Sequence, residues 1–178
     1  MSTLNNNRLI LISGAIASGK TTLASRLAAR ARASSVPAAS IDMDELINVA
    51  AGRDWSRITN TDRRLASELA AEIAQWLFAR DYRFIAIAGS TVSSREWQQV
   101  LNRFRLTARS TRVLLRVSVA EAVQRARQDQ TRVATRRPAV LAQLHAAIDW
   151  SDVPEPDIEL DTDGLGQDEV ADTVWRKL

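Results

Sequence analysis

The feature that most constrains this chain is an apolar run followed at once by a loop that two glycines bracket. The run is Leu9-Ile10-Leu11-Ile12, and the loop extends from Gly14 to Gly19. Consecutive branched apolar residues are typical of a strand that is buried on both faces of a sheet. Apolar residues then recur at helical spacing between residues 20 and 32, which predicts a helix. A buried strand that leads directly into a helix is half of a βαβ unit, so we expect a parallel sheet.

The rest of the chain repeats this alternation of strand and helix. Further buried strands are predicted at residues 37–41, 84–88, 113–117 and 158–160. Further helices are predicted at residues 60–80, 94–104, 119–128, 138–150 and 168–178. The order predicts an α/β fold whose parallel strands are joined by right-handed crossovers. We expect a single domain over residues 1–178, because this length fits one domain of ordinary size.

The composition excludes several classes of site and favours a cytoplasmic protein. The chain has no cysteine, which excludes disulfides, thiolate metal sites and cysteine nucleophiles. No apolar stretch approaches the roughly 18 residues of a membrane span, and the polar N-terminal residues differ from a signal peptide. The chain also lacks an aromatic and basic platform for nucleic acid. We therefore expect neither a membrane nor a nucleic acid as a partner. The protein is expected to be a monomer or a homodimer.

The glycine-bracketed loop matches the phosphate-binding pattern G-x-x-x-x-G-K-[ST], known as the P-loop. Glycine lets the backbone wrap closely around an anion, and successive N–H groups that point inward form a nest for it. The helix that follows adds the positive end of its dipole. The residues predicted to bind the phosphates of a nucleotide are Gly14, Ala15, Ala17, Ser18, Gly19, Lys20, Thr21 and Thr22.

Lys20 and Thr21 have the most specific predicted roles in this loop. The only other lysine is Lys177, so a chain that otherwise uses arginine has placed a compact ammonium here. Lys20 is expected to act in catalysis by reaching the β- and γ-phosphates, and the Thr21 hydroxyl to ligate Mg²⁺. ATP and Mg²⁺ are therefore the predicted cofactors.

With its P-loop and its alternation of strands and helices, the chain resembles the small-molecule kinases of the P-loop class. Its pattern is similar to those of chloramphenicol phosphotransferase, adenylylsulfate kinase, gluconate kinase and shikimate kinase. The resemblance implies a three-layer α/β/α, nucleoside/nucleotide-kinase-like fold around a five-stranded parallel sheet. It also implies a mobile lid at about residues 128–137, which closes over the phosphates.

Two acidic residues follow the second predicted strand, within Asp42-Met43-Asp44. Ligands of an open parallel sheet gather beyond the carboxyl ends of its strands, so these carboxylates should face the P-loop. The resemblance implies that Asp44 is the catalytic base that takes the proton of an acceptor hydroxyl. Asp42 is predicted to orient a magnesium water. The sequence leaves open which of the two is the base, and whether one of them only caps the following helix.

A series of arginines surrounds the predicted lid. By resemblance to shikimate kinase, Arg125 is expected near the adenine and Arg132, seven residues later, on the transferring phosphate. An arginine that arrives as the lid closes stabilises charge in the transition state, and Arg136 is the alternative to Arg132. The competing interpretation is an ordinary solvated run of charge.

Other positions depart from the pattern or carry less information. Strand 84–88 is followed by Gly89-Ser90-Thr91 and not by the aspartate that many P-loop enzymes use to hold magnesium. That task would then fall to Thr21, Asp42 and Asp44. Trp76, at helical spacing, is predicted to lie in the core, and His145 to have a packing or surface role.

The predicted function is transfer of the γ-phosphoryl group of ATP to a hydroxyl of a small molecule. The partners are then ATP and a small-molecule acceptor, which could be an antibiotic, a sugar acid or a nucleotide. The alternative is a regulatory nucleotide-binding protein or NTPase switch without such an acceptor. A switch needs a water-positioning glutamine and loops that sense the γ-phosphate, and neither is identified in the sequence.

Overall fold

A computed structural model describes residues 6–51, 58–89, 94–104, 108–129 and 137–178 of the chain. Strands and helices alternate along it, as the sequence predicts. The strands are β1 (Arg8–Gly14), β2 (Ala38–Asp42), β3 (Phe84–Ala88), β4 (Arg109–Arg116) and β5 (Ile158–Asp161). The helices are α1 (Lys20–Ala33), α2 (Met43–Ala51), α3 (Asn60–Phe78), α4 (Ser94–Phe104), α5 (Val119–Gln128), α6 (Pro138–Ala146) and α7 (Gln167–Lys177). A short 3₁₀ turn, Trp150–Asp152, precedes β5.

The five strands form one parallel sheet in the order β2-β3-β1-β4-β5. The predicted five-stranded α/β fold is therefore confirmed. The strand β1 lies at the centre and pairs with β3 on one side and β4 on the other. Because all the strands are parallel, the segments that follow β1, β2 and β3 emerge at the same edge of the sheet.

Side chains of β1 alternate between two apolar layers, one on each face of the sheet. Ile10 and Ile12 pack in a cluster that includes α1 and α7, and Leu9 and Leu11 pack in a second cluster with α3 and α4. All four are at most 1% exposed, which explains why this strand is a continuous apolar run. Covering helices on both faces give the three-layer α/β/α arrangement. Within the described ranges, no helix is both long enough and apolar enough to span a membrane.

Two of the local predictions that differ from the structure concern α3 and α6. Trp76 is not in the core: 55% of it is exposed, and the guanidinium of Arg80 lies 3.6 Å from its ring centroid. Alanines on the other side of α3 face the sheet, and their small size allows the helix to approach it closely. The second difference is α6, which ends at Ala146 rather than near Trp150.

The close approach of β1 and β4 requires glycine at position 14. Gly14 is paired with Leu115 in the sheet, and its φ of 146° is one that residues with a side chain rarely adopt. A Cβ at this position would lie 2.4 Å from the carbonyl oxygen of Leu115. The start of the P-loop is therefore fixed by backbone packing as well as by any contact with phosphate.

We expect Gly14→Ala to lower the free energy of unfolding by about 2–4 kcal/mol, from backbone strain plus overpacking. Gly164→Ala is the matched control, because Gly164 also has a positive φ, 68°, but no atom lies within 4 Å of the place that a Cβ would occupy there. It should cost only about 1–2 kcal/mol. Urea unfolding of both variants without nucleotide measures the difference, and equal losses would contradict the packing argument.

Candidate active site

The loop from Gly14 to Gly19 contains positive φ angles of the kind that an anion nest requires. Three of its residues have positive φ: Gly14 at 146°, Ala17 at 64° and Gly19 at 94°. The helix α1 begins directly after it, at Lys20, so the positive end of the helix dipole faces the loop. Residues of the loop, of the first turn of α1 and of α2 line a single cavity: Ile16, Ala17, Gly19, Lys20, Thr21, Thr22 and Asp44.

Lys20 is held inside the loop. Its side chain is 8% exposed, and its Nζ donates a hydrogen bond to the carbonyl oxygen of Ala15 at 2.7 Å. A buried ammonium needs such oxygen partners, and phosphate oxygens are stronger partners for it than a neutral carbonyl. The ammonium is therefore placed where an anion in the cavity would attract it.

The carboxylate of Asp42 links the phosphate loop to the next strand and helix. Its Oδ2 accepts a hydrogen bond from the Thr21 hydroxyl at 2.7 Å, and its Oδ1 accepts one from the backbone N–H of Asp44 at 2.8 Å. The second bond caps the N-terminus of α2, so the capping interpretation is correct for one oxygen of Asp42. The first bond shows that the same carboxylate also reaches the P-loop.

Burial raises the pKa of Asp42 above its ordinary value, and the nearby charge of Asp44 acts in the same direction. The hydrogen bond from Thr21 and the charge of Lys20 oppose this rise. The raised pKa means that ionised Asp42 is a cost to the folded state, which a bound cation would offset.

The oxygen atoms of Thr21 and Asp42 suit Mg²⁺. Hydroxyl and carboxylate oxygens are the hard ligands that this ion prefers, and here they are in direct contact. Among the described residues, no group of three or more acidic or histidine side chains could hold a metal by itself. Mg²⁺ commonly takes one or two protein ligands and completes its shell with water and substrate phosphates. The residues present therefore fit a magnesium ion that arrives with a nucleotide.

Asp44 lies on the first turn of α2 and lines the cavity together with Lys20 and Thr21. One helical turn further along α2, the side-chain oxygen of Asn48 is buried, and no hydrogen-bond partner for it is found in the described parts of the chain. Residues four apart share a helix face, so Asn48 lies on the side of α2 that carries Asp44, beneath the surface of the cavity. No sequence pattern pointed to Asn48, because an isolated asparagine on a helix is ordinarily solvated.

Arg125 is fixed by two neighbours, one on its own helix and one after the last strand. Its Nε donates to Glu121 at 2.9 Å, and its terminal nitrogens donate to the hydroxyl and the carbonyl oxygen of Thr162 at 3.0 and 2.5 Å. Thr162 is fully buried directly after β5. The structure thus joins Arg125, the residue expected near the adenine, to the turn after the last strand.

Several predicted positions lie outside the described residues. These are Arg132, Arg136, Ser90, Thr91 and most of the lid at 128–137. Of the run Gly89-Ser90-Thr91 after β3, only Gly89 is described, and its N–H donates to the carbonyl oxygen of Ile12 at 3.0 Å. The role of Arg132 stays a prediction.

His145 makes a contact that the sequence did not indicate. It is 8% exposed on α6, and its Nε2 lies 3.0 Å from the carbonyl oxygen of Ile16 in the P-loop. The predicted packing role was incomplete, because the ring also reaches the backbone of the phosphate loop. The two residues are 129 positions apart, and no local pattern joins them.

Comparison with known proteins gives a family and a fold. A family model described as shikimate kinase matches residues 16–174. The structure of the Mycobacterium tuberculosis APS kinase CysC in complex with AMPPNP and APS is similar with a TM-score of 0.70 and 16% identity, covering 96% of each chain. A gluconokinase from Sinorhizobium meliloti 1021 gives 0.66 and 14%, with 97% of this chain and 91% of that chain covered.

A third similar structure is the Deinococcus radiodurans tunicamycin resistance protein, with a TM-score of 0.61 and 15% identity over 96% of this chain and 95% of that one. No curated protein matches the chain. At these identities the solved structures establish the fold, which is that of P-loop kinases.

Replacement of Asp42 should stabilise the free protein at neutral pH. A carboxyl group whose pKa is higher in the folded than in the unfolded state makes the protein less stable once it ionises. The free energy of unfolding falls as pH rises from the unfolded pKa, near 3.8, through the folded pKa, and it stays lower above that. We expect Asp42→Asn to remove this cost while its amide keeps partners at Thr21 and Asp44. Unfolding free energies at pH 7 and near pH 3.5 measure the effect. The gain should be present at pH 7 and small at the acid end, and a variant that is less stable at pH 7 would contradict the analysis.

Proposed function

We propose, since the chain belongs to the shikimate kinase family, that it transfers the γ-phosphoryl group of ATP to a hydroxyl of a small molecule. One observation carries the proposal: Lys20, Thr21 and Asp44 line the same cavity. A phosphate-binding ammonium, a magnesium ligand and a carboxylate base are the groups that this reaction needs within reach of one another.

The nucleotide would bind with its β- and γ-phosphates in the nest of residues 14–22. Lys20 would exchange its bond with Ala15 for phosphate oxygens, and Thr21 and Asp42 would hold Mg²⁺ directly or through water. The adenine would lie towards Arg125 and the turn after β5. Mg²⁺ would neutralise charge on the phosphates in the transition state.

The acceptor would enter beside α2. The Asp44 carboxylate accepts the proton of its hydroxyl, the hydroxyl oxygen bonds to the γ-phosphorus, and the bond from that phosphorus to the oxygen of the β-phosphate breaks to release ADP. Arg132 is proposed to contact the transferring phosphate.

The acceptor class is best found by an assay of ADP release with and without candidate acceptors. The similar structures include three kinds of protein, an APS kinase, a gluconokinase and a tunicamycin resistance protein. A first panel therefore contains shikimate, adenylylsulfate, gluconate, tunicamycin and chloramphenicol. ADP release that rises with one acceptor above the blank supports the proposal. Hydrolysis that no acceptor in a broad metabolite pool accelerates, but a partner protein does, favours the regulatory alternative.

We expect Lys20→Ala to abolish turnover and to weaken binding of Mg-ATP, because the buried ammonium lines the cavity in which the β- and γ-phosphates are expected. Lys177→Ala, which removes the other lysine from an exposed position on α7, is the matched control. Calorimetric titration with Mg-ATP measures affinity, and thermal unfolding checks that both variants fold. Unchanged affinity and turnover in Lys20→Ala would remove the central claim.

Asp44→Asn should keep the affinity for ATP near that of wild type but slow phosphoryl transfer by roughly 10²–10⁴-fold, the usual contribution of a general base. Glu45→Gln is the control, since Glu45 is the adjacent carboxylate and is exposed. Single-turnover transfer rates make the comparison. If Asp42→Asn shows the slow transfer and Asp44→Asn does not, the two roles are exchanged.

A further inference from the structure

His145 connects α6 to the P-loop by one hydrogen bond. A carbonyl oxygen only accepts, so the Nε2 of His145 carries the hydrogen that is donated to Ile16. The contact lies beside apolar groups, because the helices α5 and α6 pack on the loop through a small cluster of Ala17, Ala122, Ala126 and Leu141, with Ile16 against it. Water therefore has little access to replace the imidazole at this oxygen.

The acceptor of this bond belongs to the peptide unit that joins Ile16 to Ala17. In a trans peptide the C=O and the N–H point in opposite directions, so a donor that fixes the Ile16 oxygen also fixes the Ala17 N–H. That N–H points away from His145. Both residues of the unit line the cavity beside Lys20.

The same peptide leads into a strained residue. Ala17 has a φ of 64°, in the left-handed region that costs a residue with a side chain roughly 1–2 kcal/mol. Such a conformation persists only where its surroundings hold it. The imidazole bond on one side of the unit and the packed Ala17 side chain on the other are the contacts that do so here.

We propose that His145 is a positioning residue of the phosphate site. Its hydrogen bond locks the Ile16–Ala17 peptide with the Ala17 N–H turned towards the phosphates, so that the loop is organised before the nucleotide arrives. The inference rests on the proposed function, because it assumes that the β-phosphate lies in this loop. His145 itself does not touch the reacting atoms.

The test compares two replacements of His145 with a control on the same helix. His145→Leu keeps an apolar side chain but removes the donor, whereas His145→Gln supplies an amide N–H in place of Nε2. Gln143→Leu makes a similar change at an exposed position of α6. Calorimetric titrations with ADP and with AMP, which lacks the β-phosphate, give the readout, and thermal unfolding reports on the fold.

We expect His145→Leu to weaken ADP binding about tenfold, because the Ile16–Ala17 peptide would then have to be ordered when the nucleotide binds, at a cost of about 1.4 kcal/mol. AMP binding should change by less than about twofold, since AMP makes no contact with the β-phosphate nest. His145→Gln should recover most of the affinity for ADP, and Gln143→Leu should resemble wild type. Equal weakening for ADP and AMP, or no rescue by glutamine, would assign His145 a packing role only and overturn the proposal.

A second measurement, NMR of the imidazole nitrogens in the wild-type protein, detects the hydrogen bond of His145 itself and does not require a variant to fold. His145 is the only histidine of the chain, so tag-free protein gives a single set of imidazole nitrogen signals. The Nε2 should carry a slowly exchanging hydrogen whose signal shifts on addition of ADP. An Nε2 without hydrogen at neutral pH would overturn the proposal. If the wild-type protein binds neither ADP nor ATP, the proposed function fails, and the positioning role fails with it. If the wild-type protein binds ADP but His145→Leu binds it equally well, only the positioning role fails.

Discussion

The rest of the fold depends on the burial of β1, because the side chains of this one strand pack in both apolar layers, one on each face of the sheet. Its alternate side chains pack against α1 and α7 on one face and against α3 and α4 on the other. Its position between β3 and β4 brings the following loop to the middle of the sheet edge. The phosphate loop thus starts from the centre of the fold, where Gly14 approaches Leu115 too closely for any side chain.

Around this loop, polar groups are placed at a cost to the folded state. Lys20 and Asp42 are withdrawn from water, and burial raises the pKa of Asp42. The Thr21–Asp42–Asp44 bonds compensate in part and hold the first turn of α1, the end of β2 and the first turn of α2 in one arrangement. Functional sites commonly carry this kind of destabilisation, since a ligand can offset it. A cation that arrives with a polyphosphate would do so here.

The other side of the loop is supported differently. There α5 and α6 provide an apolar layer, and His145 donates a hydrogen bond to the outward face of the Ile16 peptide. Arg125 ties α5 to the turn after β5 in a similar way. The lining of the cavity is therefore built from the P-loop and the first turns of α1 and α2, and the loop is supported from behind by helices that lie late in the chain.

The sequence by itself determined the fold class, the parallel sheet and the phosphate loop, because each depends on local patterns: a continuous apolar run, helical spacing and glycines that allow positive φ. It also placed Asp42 and Asp44 at the cleft, since parallel strands end at a common edge. Tertiary structure alone decided the rest. The two roles of the Asp42 oxygens, the exposure of Trp76 and the contact of His145 with Ile16 depend on which surfaces meet, and residues 129 positions apart share no local signal.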